Sequence, residues 1–353
     1  MRYFKQVILS LFLFGYLVSG NAQDVSFSQT YASPLYLSPS FAGFSDGSRL
    51  VFNYRDQWPG IPGTYRSLAF SADHYFGNYN SGVGLLFLRD DQGSGKLVKQ
   101  NLGLSYSYEI EVLRNIFVRP GIQFKFAQQK IDPSRLTPRE NISPDDGTSF
   151  PGYTYAGTES YNWFDATASA MVYGSNFWVG VVVDHLVKRD VAYTYIETFT
   201  PMKTTIYGGY KILYNENSRS RDDQSITFAS NIRLQDKFNQ MDLGLYWYFR
   251  PMELGLWYRG IPVSKTYGLS TNDAIIMILG VTFGNLRFSY SYDFTMSDLA
   301  GSTGGANEFS IMFNFNNSGA KSKTRKGAIP YTNSRYSGST RKSYHRRRLH
   351  KIF

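Results

Sequence analysis

Met241-Asp242-Leu243-Gly244-Leu245-Tyr246-Trp247-Tyr248-Phe249 puts apolar side chains at its odd positions and Asp, Gly or Tyr at its even ones. A period of two belongs to a strand with two unlike faces. Ser225–Leu234 and Glu308–Phe315 repeat the pattern. Working outward, fourteen stretches qualify, at about 48–56, 65–75, 81–90, 97–109, 115–129, 162–173, 176–185, 203–214, 225–234, 239–249, 251–260, 273–283, 285–294 and 307–315. Many strands of about ten residues, apolar outside and polar inside, are the signature of a membrane β-barrel. A soluble all-β sandwich also alternates, but the strand number and the features below favour the barrel. Fourteen is even, as bacterial barrels require; twelve or sixteen would satisfy the same rule.

The chain opens with Arg2 and Lys5, an apolar run from Val7 to Val18, and small residues at Gly20-Asn21-Ala22. This predicts a signal peptide over 1–22, cleaved before Gln23. A membrane anchor helix is the weaker reading, because the run is about a dozen residues and a bilayer helix needs ~20. Cysteine is absent, which excludes disulfides, thiolate metal sites and a lipid-bearing N-terminal cysteine. Mean hydropathy is −0.32, a soluble-looking value. In a barrel half of every strand faces lipid and half faces a polar lumen, so the average conceals the membrane face. The 28 Tyr and 27 Phe fit that setting, since amphipathic rings favour membrane–water boundaries.

Net charge is +10, but it is localised. Of 37 basic residues, eleven lie between Lys321 and Phe353 with no acid among them, and two lie in the leader, which leaves 24 against 27 acidic residues elsewhere. The body is close to neutral and the basicity is a tail. The expected organisation is a signal peptide (1–22), an aromatic N-terminal periplasmic segment (23–47), a transmembrane barrel (48–315) and a basic, disordered periplasmic tail (316–353).

Gaps between strands alternate between mostly short and mostly longer. Short turns belong to the periplasmic side and long loops to the outside, which predicts that both ends of the mature chain are periplasmic. By phase, Arg49, Asn53, Arg55, Asp73, Arg119, Gln123, Lys125, Asp242, Arg287, Asp293 and Glu308 point into the lumen. Gly82, Gly84, Gly103, Gly121, Gly180, Gly244 and Gly255 lie inside strands, where glycine marks a bend or a close backbone approach. Phe27–Gly43 is too aromatic for a linker and too broken by proline for a strand or helix. It is expected to fold against or into the periplasmic mouth.

Catalytic chemistry finds no support. His74 follows Asp73 and His185 follows Asp184, but adjacent strand residues point to opposite faces, so neither pair is a dyad by itself. His345 and His350 lie in the tail. No Ser/His/Asp spacing, H-E-x-x-H or P-loop occurs. Asp90-Asp91 and Asp145-Asp146-Gly147 could ligate calcium, but acids in surface loops are more often simply solvated. The expectation is no enzyme, no cofactor and no metal.

Trp58-Pro59-Gly60-Ile61-Pro62-Gly63 fills the first outer loop. Two prolines fix φ and two glycines permit tight turns, so this loop is rigid. It either folds over its own rim or meets a partner. The candidate partner-contact residues are Trp58, Pro59, Ile61 and Pro62 in this loop, Phe27, Tyr31, Tyr36 and Phe41 in the N-terminal segment, and Arg346, Arg347 and Arg348 in the tail. The tail's charge suits an anionic surface or an acidic periplasmic partner; nucleic acid does not fit that compartment.

Two stretches carry a resemblance. Phe27-Ser28-Gln29 with Pro34–Gly43 resembles the mature start of the PorP/SprF family, and Tyr54-Arg55-Asp56-Gln57-Trp58-Pro59-Gly60-Ile61-Pro62-Gly63-Thr64-Tyr65 resembles that family's most recognisable segment. The strand-rich remainder to about Phe315 is compatible with it; the tail is not matched. The resemblance implies an outer-membrane component of the type IX secretion and gliding-motility apparatus. Its implied partners are an exported cell-surface protein such as an adhesin, other apparatus subunits and outer-membrane lipid. The expected function is a non-enzymatic dock for an exported protein. The alternative is a passive channel for small solutes, since fourteen strands leave a lumen unless it is filled.

Overall fold

Antiparallel neighbours follow one another around a closed ring. The structure is a computed structural model that describes residues 24–45, 47–61, 63, 65–93, 97–131, 141–142, 159–187, 200–215, 224–236, 238–266, 269–296, 303–316 and 329–330. The expected signal peptide, Pro62, Asp145–Gly147 and Arg346–Arg348 lie outside the described residues. Fifteen strand segments form one sheet. They are β1 (Gly47–Gln57), β2 (Tyr65–Phe76), β3 (Ser81–Gln92), β4 (Leu97–Tyr108), β5 (Ile110–Leu113), β6 (Ile116–Ile131), β7 (Glu159–Tyr173), β8 (Phe177–Asp184), β9 (Lys203–Asn215), β10 (Gln224–Gln235), β11 (Phe238–Phe249), β12 (Met252–Thr266), β13 (Leu269–Phe283), β14 (Leu286–Thr295) and β15 (Ala306–Asn316). β4 and β5 both pair with β6, so they form one strand of the wall interrupted at Glu109. The result is a fourteen-stranded antiparallel barrel. β15 against β1 closes it, in register from Gly47 opposite Asn316 to Gln57 opposite Ala306.

The predicted strands match these closely, with two differences. The turn expected at Ile110–Arg114 is shorter, because Ile110–Leu113 continues the ladder to Asn115, whose φ of +67° makes the reversal. Asn tolerates that left-handed conformation better than most residues. β12 and β13 extend past their predicted ends, and Thr266 pairs with Leu269.

Every residue placed in the lumen by phase faces inward. Arg49, Asn53, Arg55, Asp73, Arg119, Gln123, Asp242, Arg287, Asp293 and Glu308 are buried, and the Lys125 side chain is 13% exposed. Leu85, Leu104, Phe124, Phe228, Leu256 and Phe309 project from the opposite face and are exposed. An arginine on that face would cost ~2–4 kcal/mol at the bilayer midplane, so the phase of each strand decides which side faces lipid. Exposed Phe76, Tyr79, Tyr108, Tyr214, Trp247 and Phe283 gather at the short-turn ends, where amphipathic rings are expected. The lumen is not uniformly polar. Tyr173, Trp178, Tyr207, Tyr246 and Trp257 also turn inward and are buried. These rings pack around something other than lipid.

Candidate functional site: the luminal segment and its charged end

What fills the lumen is the N-terminal segment. Residues 24–45 are almost wholly buried inside the barrel. Proline shapes the segment. Pro34 starts the turn Pro34–Leu37 and Pro39 starts Pro39–Phe41, each at the first helical position. There a fixed φ helps and the missing N–H is not needed. The Ser38 side chain accepts from the Ser40 amide and caps the second turn. A third short turn spans Thr30–Ala32. The segment expected to be neither strand nor helix is thus a chain of single helical turns, narrow enough to lie in a barrel.

It runs the length of the lumen. At one end Ala42 accepts from Ser107 Oγ at 2.8 Å and from Arg119 Nη2 at 2.6 Å, and Gly43 donates its amide to Asp73 at 3.0 Å. These partners sit at the short-turn end, with the start of β1. At the other end Asp24 meets Lys99 and Lys203, near the start of β4 and at the start of β9. Both lie at the end carrying the long loops. Phe27–Gly43 is expected to fold against or into one mouth; it folds into the barrel, and the segment continues until Asp24 lies at the opposite mouth from Gly47 and Asn316. One physical reason is that its backbone polar groups find partners all along the lumen wall.

The wall accommodates it by omission. A Cβ on Gly82 would lie 1.9 Å from Ala42 O, and one on Gly121 2.5 Å from Ser40 N. Gly82 and Gly121, read from sequence as close-approach positions, face the segment. Gly244 and Gly180 instead make room for Trp257 and Tyr207 of the wall. Those rings grip the segment's own. Tyr31 meets Trp178 edge-on at 5.5 Å, and Trp178 Nε1 donates to Tyr31 OH at 3.1 Å. Phe41 lies 5.7 Å from Tyr207, and Phe44 is edge-on to Tyr173 at 4.9 Å.

The two stretches that carry the family resemblance touch. Arg55 Nη1 donates to Ser28 Oγ at 2.6 Å. Arg55 also pairs with Asp293 at 2.8 Å and Glu308 at 3.3 Å. Glu308 accepts the amides of Ser28 at 2.7 Å and Gln29 at 3.1 Å. Ser289 Oγ donates to Gln29 Oε1 at 2.6 Å, and Gln29 Nε2 donates to Glu308 O at 3.0 Å. Phe27-Ser28-Gln29 is therefore bound at a polar site on β1, β14 and β15. Further round, Arg259 donates to Phe27 O at 3.3 Å.

Asp24 is the centre of a charged cluster at the long-loop mouth. Lys99 Nζ reaches Oδ1 at 2.9 Å; Lys203 Nζ at 2.9 Å and His185 Nε2 at 2.8 Å reach Oδ2. The other ring nitrogen of His185 meets Asp165 at 2.8 Å. Lys125 bridges Asp165 and Asp184 at 3.4 and 3.2 Å. Burial disfavours the Asp24 carboxylate, but Lys203, Lys99 and His185 outweigh it and hold its pKa well below the ordinary range. Burial likewise disfavours charged His185, yet Asp24 and Asp165 raise its pKa. The expectation that Asp184 and His185 point to opposite faces fails, because His185 follows the end of β8 with a φ of +59° and both side chains line one space; the hydrogen-bond partners of His185 are Asp165 and Asp24 of the segment. Asp24, Lys99 and Lys203 were not singled out from sequence. The lysines fall at strand ends, where a solvated side chain is the ordinary reading.

Of the expected contact residues, Phe27, Tyr31 and Phe41 are buried and Tyr36 is partly so, all packed inside the barrel. Trp58 and Ile61 are half-buried and Pro59 is exposed. Their loop folds across to the β14–β15 connection: Trp58 N donates to Gly305 O at 2.8 Å and Gly60 N to Thr303 O at 3.0 Å. Trp58 packs edge-on against Tyr65 at 5.4 Å. Asp90 accepts from Ser67 and Asp91 pairs with Arg89. His74 Nδ1 meets Ser48 Oγ at 2.8 Å. In the tail, Ile329 and Pro330 are buried, and Ile329 joins the apolar cluster of Phe41 and Phe44.

No curated protein sequence matches the chain. Solved barrels of similar shape include Omp33 of Acinetobacter baumannii, 8% identical over 77% of this chain and 100% of that one, with a TM-score of 0.43. The toluene transporter TbuX of Ralstonia pickettii is 9% identical over 84% and 95%, with a TM-score of 0.48. The toluene transporter TodX of P. putida is 11% identical over 79% and 93%, at 0.44. Identities and scores this low say nothing of function. Residues 19–313 match the family described as type IX secretion system membrane protein PorP/SprF. That span takes in both motifs and all but the last residues of the final strand, and the chain belongs to this family.

Proposed function

We propose that the protein is a non-enzymatic dock of the type IX secretion and gliding-motility apparatus, placed in the outer membrane after signal-peptide cleavage. Its long-loop mouth holds an exported cell-surface protein, and its short-turn mouth and basic tail meet other apparatus subunits. The observation that carries this reading is the filled lumen. A barrel whose interior is occupied by its own residues 24–45 offers partners its two mouths and rims, not a standing pathway. Trp58–Ile61, tied to Thr303 and Gly305, presents exposed Pro59 beside half-buried Ile61 at one rim. Such a fixed platform loses little conformational entropy on binding.

The test is isolation in mild detergent from secreting cells, with identification of what accompanies the barrel. A large surface protein and apparatus subunits are expected. A barrel recovered alone, from cells that display their surface proteins equally well without it, would sink the proposal. For the tail, deletion after Phe315 is expected to reduce partner recovery or motility; unchanged secretion, recovery and motility remove any role for it. A large steady conductance of the intact protein in planar bilayers would favour the passive channel.

A further inference from the structure

We infer that Lys99, Lys203 and His185 form a carboxylate-binding site at the long-loop mouth, filled by Asp24 and open to exchange with a carboxylate on another molecule. Three donors converge on the two oxygens of one carboxylate, at 2.9, 2.9 and 2.8 Å. Two oxygens met from separate directions suit a planar carboxylate better than a spherical anion. The donors are carried by the wall, on β4, on β9 and just after β8, and Lys203 also lies over the Tyr36 ring of the segment, 5.7 Å from its centroid.

Charge balance shows that the site needs its anion. Without Asp24, Lys99 has no other ion pair among the described residues. Lys203 keeps Asp184 at 3.2 Å, and His185 keeps Asp165 at 2.8 Å. Lys125 already occupies those same two carboxylates. Asp90 lines the adjoining space but is engaged by Ser67 and Gln92. Ser67 and Gln92 are neutral and leave Asp90 its charge, so the vacated site sets Lys99, Lys125, Lys203 and protonated His185 against Asp90, Asp165 and Asp184, one negative charge short, while those carboxylates would repel a dianionic phosphate. A cavity of about 40 Å³ adjoins Asp24 between Tyr36, Lys99, Lys125 and Lys203, room for a few water molecules and for a slightly larger occupant.

The present occupant is also the replaceable part. Asp24 lies at the far end of a segment joined to the barrel at β1, and Val25–Phe27 next to it adopt no regular structure. The tether supplies Asp24 at high effective concentration, and the bonds of Tyr36 to Val25 O, Arg233 to Ser26 Oγ and Arg259 to Phe27 O add to its hold. The inference is separate from the identity of any client and stands or falls without it.

The test uses the full chain in detergent, with ring-¹⁵N-labelled histidine and the His185 resonance identified by its loss in His185→Gln. In Asp24→Ala, sodium acetate is expected to shift the His185 Nε2 signal saturably. Sodium chloride at equal ionic strength is expected not to. The wild type, with Asp24 in place, should need at least tenfold more acetate. Asp24→Ala combined with Lys99→Gln and Lys203→Gln should lose the response. Equal shifts with chloride, a non-saturating response, or equal titrations of wild type and variant would overturn the site. If Asp24→Ala gives no folded barrel, Asp24→Asn keeps the shape, removes the charge and faces the same criteria. The blocked dipeptide acetyl-Asp-Val-amide distinguishes sources. Tighter binding than acetate assigns a peptide carboxylate, and equal binding a free small acid; binding of neither refutes the inference.

Discussion

Arg55 shows how much one side chain organises. It lies on β1 beside the exposed loop, yet its guanidinium points inward to Asp293, Glu308 and Ser28 at once. Phase alone placed it in the lumen; nothing local to it names its partners, which lie more than two hundred residues away or in the segment before β1. Removing one member of a buried ion network strands the others. Arg55→Met is therefore expected to lower stability by about 3–5 kcal/mol, read as a reduced denaturant midpoint and faster proteolysis of residues 24–45. Arg55→Lys keeps the charge but not the fork and should fall between. An unchanged midpoint in Arg55→Met would show that the segment is seated by other contacts. His185 gives a second expectation. The charged and titratable groups around it are Asp24, Asp165, Asp184, Lys125 and Lys203. Its pKa is raised on folding from the ordinary 6.5, so its contribution is complete below that value and fades as pH rises through the raised one. Asp24, held low, contributes above the ordinary carboxylate range and loses that contribution only as pH falls far beneath it. The stability difference between wild type and His185→Gln should thus be largest near pH ~6 and shrink toward pH ~9. A difference independent of pH across that span would mean that the imidazole acts uncharged.

At the scale of elements, the contrast is between strands and segment. Strands were legible because each carries its own two-sided pattern, and lipid on one side makes the phase a strong constraint. The segment between Asp24 and Ser45 has no such period. Its two prolines set two of its three short turns, and its aromatics suit any apolar wall; which wall was not written locally. Gly82 and Gly121 recorded the answer indirectly, as absent side chains where the Ala42 and Ser40 backbones come close. Gly121→Val is expected to unseat the segment while leaving the barrel assembled. Cleavage within 24–45 by added protease should rise at least tenfold, with the heat-modifiable mobility of the barrel on gels unchanged. Cleavage at the wild-type rate would show that the backbone can shift around the new methyls.

For the molecule as a whole, the balance of lumen and filler matters. Arg49 with Asp73, Arg119 with Glu109 and Arg259 with Asp242 are pairs within the wall, so away from the Asp24 site much of the luminal charge is balanced without the segment. Deleting residues 24–45 should leave a barrel that still inserts but conducts ions steadily in planar bilayers, whereas the intact chain does not. Equal conductance of the two would mean that other parts of the chain block the path. The sequence alone determined the antiparallel barrel, which side chains face inward and where turns fall, because alternation is a local property enforced by two different solvents; it left twelve, fourteen or sixteen strands open, and the closed sheet decided fourteen. It also marked, through two motifs, the family to which the chain belongs. Only the tertiary structure decided that these motifs meet inside the barrel, that the aromatic start threads the lumen from one mouth to the other, and that Asp24 ends among Lys99, Lys203 and His185. Those contacts join residues far apart along the chain, and their energy comes from burying complementary charges and rings that no short window of sequence holds together.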